Sequence, residues 1–271
     1  MTGESKGAMI EIVFRGVKTV RRSAVWWAVG VATFVVVNLA FWPSFSDSDA
    51  LDAFDDMEAF LEAFGATNIN TPSGYVDGQV YALLLPLLLS SLAITVMSGL
   101  TAGDENAGRL ELLHALPVSR RQVWFGRWSA AMVVLVGVAF VGGLTTTLSL
   151  PVFSLEEVSV ARVVTATIGC VLLASVHGSV AYAAAGFGAS RGLSAGIGIV
   201  VLVVGYLMSF VLPLADALAG TRDWSPWYWA LGDQPISDGV DLWRLALAGV
   251  MTGVLTAVGT WAVDRRDIRT A

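Results

Sequence analysis

Few side chains in this chain are of a type that does covalent or metal chemistry. Of 271 residues, two are histidines, His114 and His177, and one is a cysteine, Cys170. A lone cysteine forms neither an intrachain disulfide nor a thiolate metal site, and two histidines fall short of most imidazole ligand sets, so no metal is expected. Both lysines, Lys6 and Lys18, follow residues other than glycine. The Gly-x-x-x-x-Gly-Lys-Ser/Thr loop that cradles nucleotide phosphates is therefore missing from this chain. Ser98 and His177 are the nearest nucleophile and base, with no local motif to pair them. Two features remain. One is a run of alternating charges and leucines at 104–117; the other is a pair of polar residues, Asn38 and His177, inside long apolar stretches.

The elements that hold these residues are membrane spans. The chain is 55% hydrophobic and 14% charged, with a mean hydropathy of +0.70; a soluble domain is about 25% charged. Its net charge of −6 leaves no basic field for nucleic acid. Six stretches lack Asp, Glu, Lys and Arg: 23–46, 78–103, 128–155, 163–190, 192–215 and 245–263. Each is 19 to 28 residues long, and a helix needs roughly 20 apolar residues to cross about 30 Å of hydrocarbon. Backbone groups in lipid must be satisfied within their own segment, so the expected fold is all-α, a polytopic bundle of six transmembrane helices in one domain, 1–271. Bulky Phe41-Trp42-Pro43 makes a poor signal-cleavage site and a good interfacial anchor.

Lys and Arg fix an expected orientation. The N-terminal tail, the 104–127 segment, Arg191 and the C-terminal tail carry 13 of the 16. Positive residues stay inside, which places both termini and 104–127 in the cytoplasm. The alternate segments carry 15 of the 22 carboxylates. Two lysines against 14 arginines point to a GC-rich bacterium or a halophilic archaeon, with the chain in the cell membrane.

Three segments outside the spans have readable patterns. Over 9–22, Ile10, Val13, Phe14 and Val17 share one helical face and Glu11, Arg15, Lys18 and Arg22 the other. That predicts an interfacial helix, with a plain extension of the first span as the alternative. Over 47–65, Leu51, Phe54, Met57, Leu61 and Phe64 predict an outer amphipathic helix with a solvated acidic face. Segment 216–244 holds Trp224, Trp227, Tyr228, Trp229 and Trp243, read mostly as an interfacial aromatic belt, and its Pro226 and Pro235 preclude one long helix.

Segment 104–117 is the most informative. Leu110 to Leu116 suits a short helix with Leu112, Leu113 and Leu116 as an apolar ridge, bounded by Pro117. A ridge on a cytosolic loop has no core of its own, so its expected home is a groove on another protein. Asn38 and His177 are candidate pathway residues, since intramembrane polar groups face a bundle interior or an aqueous path. The competing reading of His177 is helix packing among Ser175 and Ser179.

Glu105-Asn106-x-Gly108-Arg109-Leu110-Glu111-Leu112-Leu113, followed by Leu116-Pro117-Val118-Ser119-Arg120, resembles a segment of the permease subunits of ABC-2 type ATP-binding cassette transporters. Ser225-Pro226-Trp227-Tyr228-Trp229, with Leu231-Gly232-Asp233 and Pro235, is similar to a stretch before the last span of small members, and Arg265-Arg266-Asp267-Ile268 to their basic ending. Arg109 departs from the family's usual threonine. The resemblance implies a permease fold like that of type V exporters and a half-transporter without enzymatic activity of its own. It also implies a second permease chain, identical or related, and two ATPase subunits that bind ATP and Mg. Segment 104–117 would be the coupling helix, with Glu105, Gly108, Arg109, Leu110, Glu111, Leu112, Leu113, Leu116 and Pro117 at the ATPase contact. A secondary transporter is disfavoured because its ion coupling commonly uses intramembrane carboxylates, and the six charge-free stretches contain none. A membrane anchor or sensor is the remaining alternative.

Overall fold

The computed structural model describes residues 3–46, 69–106 and 119–266. The outer amphipathic helix expected over 47–65 and the coupling ridge at 107–117 lie outside the described residues. Among the described residues, six helices are long and apolar enough to cross a membrane and no strand occurs. They are α1 (Gly3–Ala40), α2 (Pro72–Gly103), α3 (Arg120–Ser149), α4 (Val160–Gly186), α5 (Arg191–Leu214) and, after a short α6 (Pro226–Leu231), α7 (Leu242–Arg265).

Local chemistry explains where they start and stop. Ser119 closes a capping box with Gln122 at the head of α3, and Ser190 and Asp241 cap α5 and α7. Thr71 and Ser225 each cap a helix whose first residue is proline. Helix α4 ends where Ala189 N–H donates to the Ala184 carbonyl and Gly188 N–H to Ala185. This wrap-back needs φ near +94° at Gly188, which glycine takes without strain. Pro151 follows the end of α3 and cannot continue it.

Most helices run past the charge-free stretches, because their terminal charges pair or reach beyond the apolar zone. Helix α3 begins at Arg120, eight residues before the stretch 128–155. Helix α2 begins at Pro72 and so takes in Asp77. The expectation that no span carries a carboxylate is corrected accordingly.

Residues 9–22 belong to α1, which is unbroken through the first span. The structure therefore follows the second reading of that segment, an extension of the span. Ile12 and Gly16 face inward, and a Cβ on Gly16 would press on the Ala130 methyl. Val13, Val17 and Val20 pack beside them, while Ile10 and Phe14 stay exposed. The small residues Gly16, Gly126 and Ala130 let this stripe bury against α3 rather than lie on a lipid surface.

Helix α4 is the hub: α2, α3, α5, α6 and α7 all pack on it, whereas α1 rests mainly on α3. A ladder of hydroxyls joins α4 to α7, with Ser175–Thr252 at 2.9 Å, Ser179–Thr256 at 3.3 Å and Tyr182–Thr260 at 2.8 Å. Rising numbers on both sides mean that α4 and α7 run the same way, as alternating spans require. Such bonds matter in lipid, where packing rather than the hydrophobic effect holds helices together.

Candidate functional site

Alternation brings the ends of α2, α4 and α7 and the starts of α1, α3 and α5 to one end of the bundle. Asp104 and Glu105, the two residues that lead into the leucine ridge, are both anchored there. Asp104 pairs with Arg127 of α3 at 2.6 Å, and both side chains are almost fully buried. Glu105 takes the Arg266 guanidinium on both carboxylate oxygens, each at 2.6 Å. Arg120 donates to the Arg266 carbonyl, and Arg121 pairs with Asp264 at 2.6 Å. Arg191, which opens α5, lies against Gly103, its Cδ 3.2 Å from where a Cβ would be. The helix just before, Gly99–Gly103, is widened into a π turn, a local departure common at functional positions.

Segment 107–118 thus leaves and re-enters a frame tied to three helices. Its entry is held by ion pairs to α3 and to the end of α7; its exit is the Ser119–Gln122 cap on α3. Of the residues expected at the contact, only Glu105 is described. Gly108, Arg109, Leu110, Glu111, Leu112, Leu113, Leu116 and Pro117 lie outside the described residues. The sequence does not single out Arg127 and Arg266 as the partners of this acidic pair. Arg127 sits 23 positions from Asp104, and Arg266 was read as part of a basic tail. The adjacent acidic pair at a span end, facing a span that starts with several arginines, was the available signal.

The two candidate pathway residues belong to different clusters. Asn38 donates to the Phe34 carbonyl at 2.8 Å, and its own backbone carbonyl accepts from the Tyr75 hydroxyl at 2.9 Å. His177 is completely buried between α4 and α2, with Nδ1 3.0 Å from Ser90 Oγ.

At the opposite end, Asp77 is buried and accepts from Ile236 N–H at 2.7 Å, Ser237 N–H at 2.9 Å and Ser237 Oγ at 2.8 Å. Helix α6 folds into that end. Its Ala230 carbonyl lies where a Cβ on Gly169 would stand. Trp227 is fully buried, donates to the Leu202 carbonyl at 3.3 Å and meets Tyr206 and Phe210 edge-on, at 5.5 and 6.1 Å. Trp224 and Trp243 are strongly exposed, as a belt demands, but Trp227 and Tyr228 are core residues.

A six-span helical bundle with its polar contacts turned inward defines a polytopic membrane protein. The family model described as ABC-2 family transporter protein matches residues 11–223. The chain belongs to that family: it is a membrane-spanning permease of the ABC transporter type. A comparison with curated proteins gives no match. The match ends at Asp223, so the Ser225–Pro235 stretch that shares in the resemblance lies beyond it.

Proposed function

We propose that this chain is half of the transmembrane pathway of an ABC exporter. It pairs with a second permease chain, and two separate ATPase subunits bind ATP and Mg and drive the cycle. Segment 104–117 is the coupling element, and the end that carries it faces the cytoplasm of a bacterial or archaeal cell. The observation that supports this reading is the double anchorage of Asp104 and Glu105 to α3 and α7. A force on the segment reaches two helices through short ion pairs, and α7 reaches the hub α4 through the hydroxyl ladder. The orientation rests on the excess of Lys and Arg in segments that the bundle gathers at one end.

Docking would be apolar. Fully burying one leucine contributes roughly 1.5–3 kcal/mol, so Leu112 and Leu113 supply much of a contact. The pair Leu112→Asp with Leu113→Asp would bury unpaired carboxylates in the ATPase groove, a large cost. The expected result is a permease at normal membrane level that loses its ATPase in pull-down, or loses transport while ATP hydrolysis continues. A double variant that binds its ATPase and transports like wild type would make 104–117 an ordinary loop.

A further inference from the structure

A groove of about 550 Å³ opens between α3 and α7. Arg121, Phe125 and Trp128 form one wall, and Gly249, Gly253 and Trp261 the other. Its volume is that of a small-molecule site. At Gly249 and Gly253 a Cβ would meet open space, so nothing in the fold fills the groove. The threonines along its floor, Thr252, Thr256 and Thr260, give their hydroxyls to carbonyls one turn back, which leaves an apolar surface.

One end of the groove is positively charged. Arg121 is 61% exposed at its mouth. The Arg265 guanidinium stacks 4.5 Å above the Trp261 ring, which is part of the wall. Asp264 offsets Arg121 and Glu105 offsets Arg266. Among the described residues, Arg120 and Arg265 have no carboxylate partner, so positive charge is in excess here. From Gly249 to Trp261 the helix rises by roughly 18 Å, close to half of the ~30 Å hydrocarbon core. A cationic mouth over an apolar cleft one leaflet deep matches a head and a tail. A partner helix would instead need a matching face through the whole membrane thickness.

We propose that this groove holds an anionic phospholipid of the leaflet at that end, its phosphate at Arg121 and Arg265 and an acyl chain along Gly253. The site is independent of how segment 104–117 works.

The test is native mass spectrometry of the purified chain titrated with phosphatidylglycerol or with phosphatidylcholine of the same acyl chains. Wild type is expected to retain the anionic lipid in preference by about tenfold, given two arginines at the surface. Arg121→Gln with Arg265→Gln should bring the two lipids to equal retention. Gly253→Leu, which fills the groove and leaves both arginines in place, should lower retention of both. Equal retention by wild type, or a double variant or Gly253→Leu that behaves like wild type, would overturn the proposal. So would efficient Gly253→Cys cross-linking between two chains in a Cys170→Ser background, which would make the face a subunit contact.

Discussion

The two ends of this bundle bury carboxylates in different ways. At the end that carries segment 104–117, Asp104 and Glu105 are held by guanidinium groups from α3 and α7. At the other end, Asp77 is held by two backbone N–H groups and a hydroxyl from residues 236 and 237. The difference is one of exchangeability. An ion pair at a helix end can swap partners, or shift along them, for little net change once another charge is offered. A carboxylate in a cradle of backbone donors depends on one loop conformation and has no such alternative. The first arrangement suits an end that must respond to a partner. The second, with Trp227 locked against Leu202 and Gly205 at 0% exposure, suits an end whose parts move as one unit.

The comparison is broken most strongly at Arg127. Its replacement by methionine leaves Asp104 buried without its guanidinium, which typically costs 3–5 kcal/mol. Arg127→Met should therefore unfold at markedly lower denaturant in mixed-micelle SDS titrations. Adding Asp104→Leu should restore most of the loss, because the buried charge is gone. Transport should stay low in the rescued double variant if the pair passes force from the segment to α3. A rescued variant that also transports normally would reduce the pair to a structural tie.

Asp77→Asn comes next. The amide keeps one acceptor oxygen but turns an NH2 group toward the Ser237 donors, so at least one buried donor loses its partner. The expected cost is about 1–3 kcal/mol, read in the same titration. Its effect on ATPase pull-down should be nil, since Asp77 sits at the far end. If Asp77→Asn releases the ATPase while Arg127→Met does not, the roles assigned to the two ends are reversed.

The sequence revealed the helices better than the contacts, for physical reasons. Crossing a bilayer forbids charges over some 20 residues, so α4 and α5 announce themselves by composition alone. Helix caps were less legible: at Ser225-Pro226 the proline that rules out a long helix is also the first residue of a short one. The cradle of Asp77 was not legible. Its donors are backbone groups about 160 residues away, and any residue but proline carries such a group. Trp227 was read into the aromatic belt because a tryptophan looks the same in sequence whether it meets lipid headgroups or a cleft left by Gly205. The frame of the coupling segment was half legible. The family-like Glu105 was singled out, but Arg266 depends on α7 ending beside α2, which no local pattern encodes.

The smallest expected effect sharpens the contrast by showing that surface charge matters little at the Asp77 end. Asp233 pairs with Arg222 there at 3.1 Å, and both side chains are substantially exposed. Arg222 has other support: it donates to the Tyr228 hydroxyl at 2.8 Å and sits 4.4 Å over the Tyr228 ring. Asp233→Asn removes one screened attraction and leaves those two contacts in place. The loss should lie within about 1 kcal/mol and should vanish in roughly 1 M salt, where the screening length is about 3 Å. Unfolding titrations at low and high salt would measure both quantities. A loss as large as that of Asp77→Asn, undiminished by salt, would mean that the Asp77 end also relies on charge pairs, and the distinction drawn between the two ends would fail.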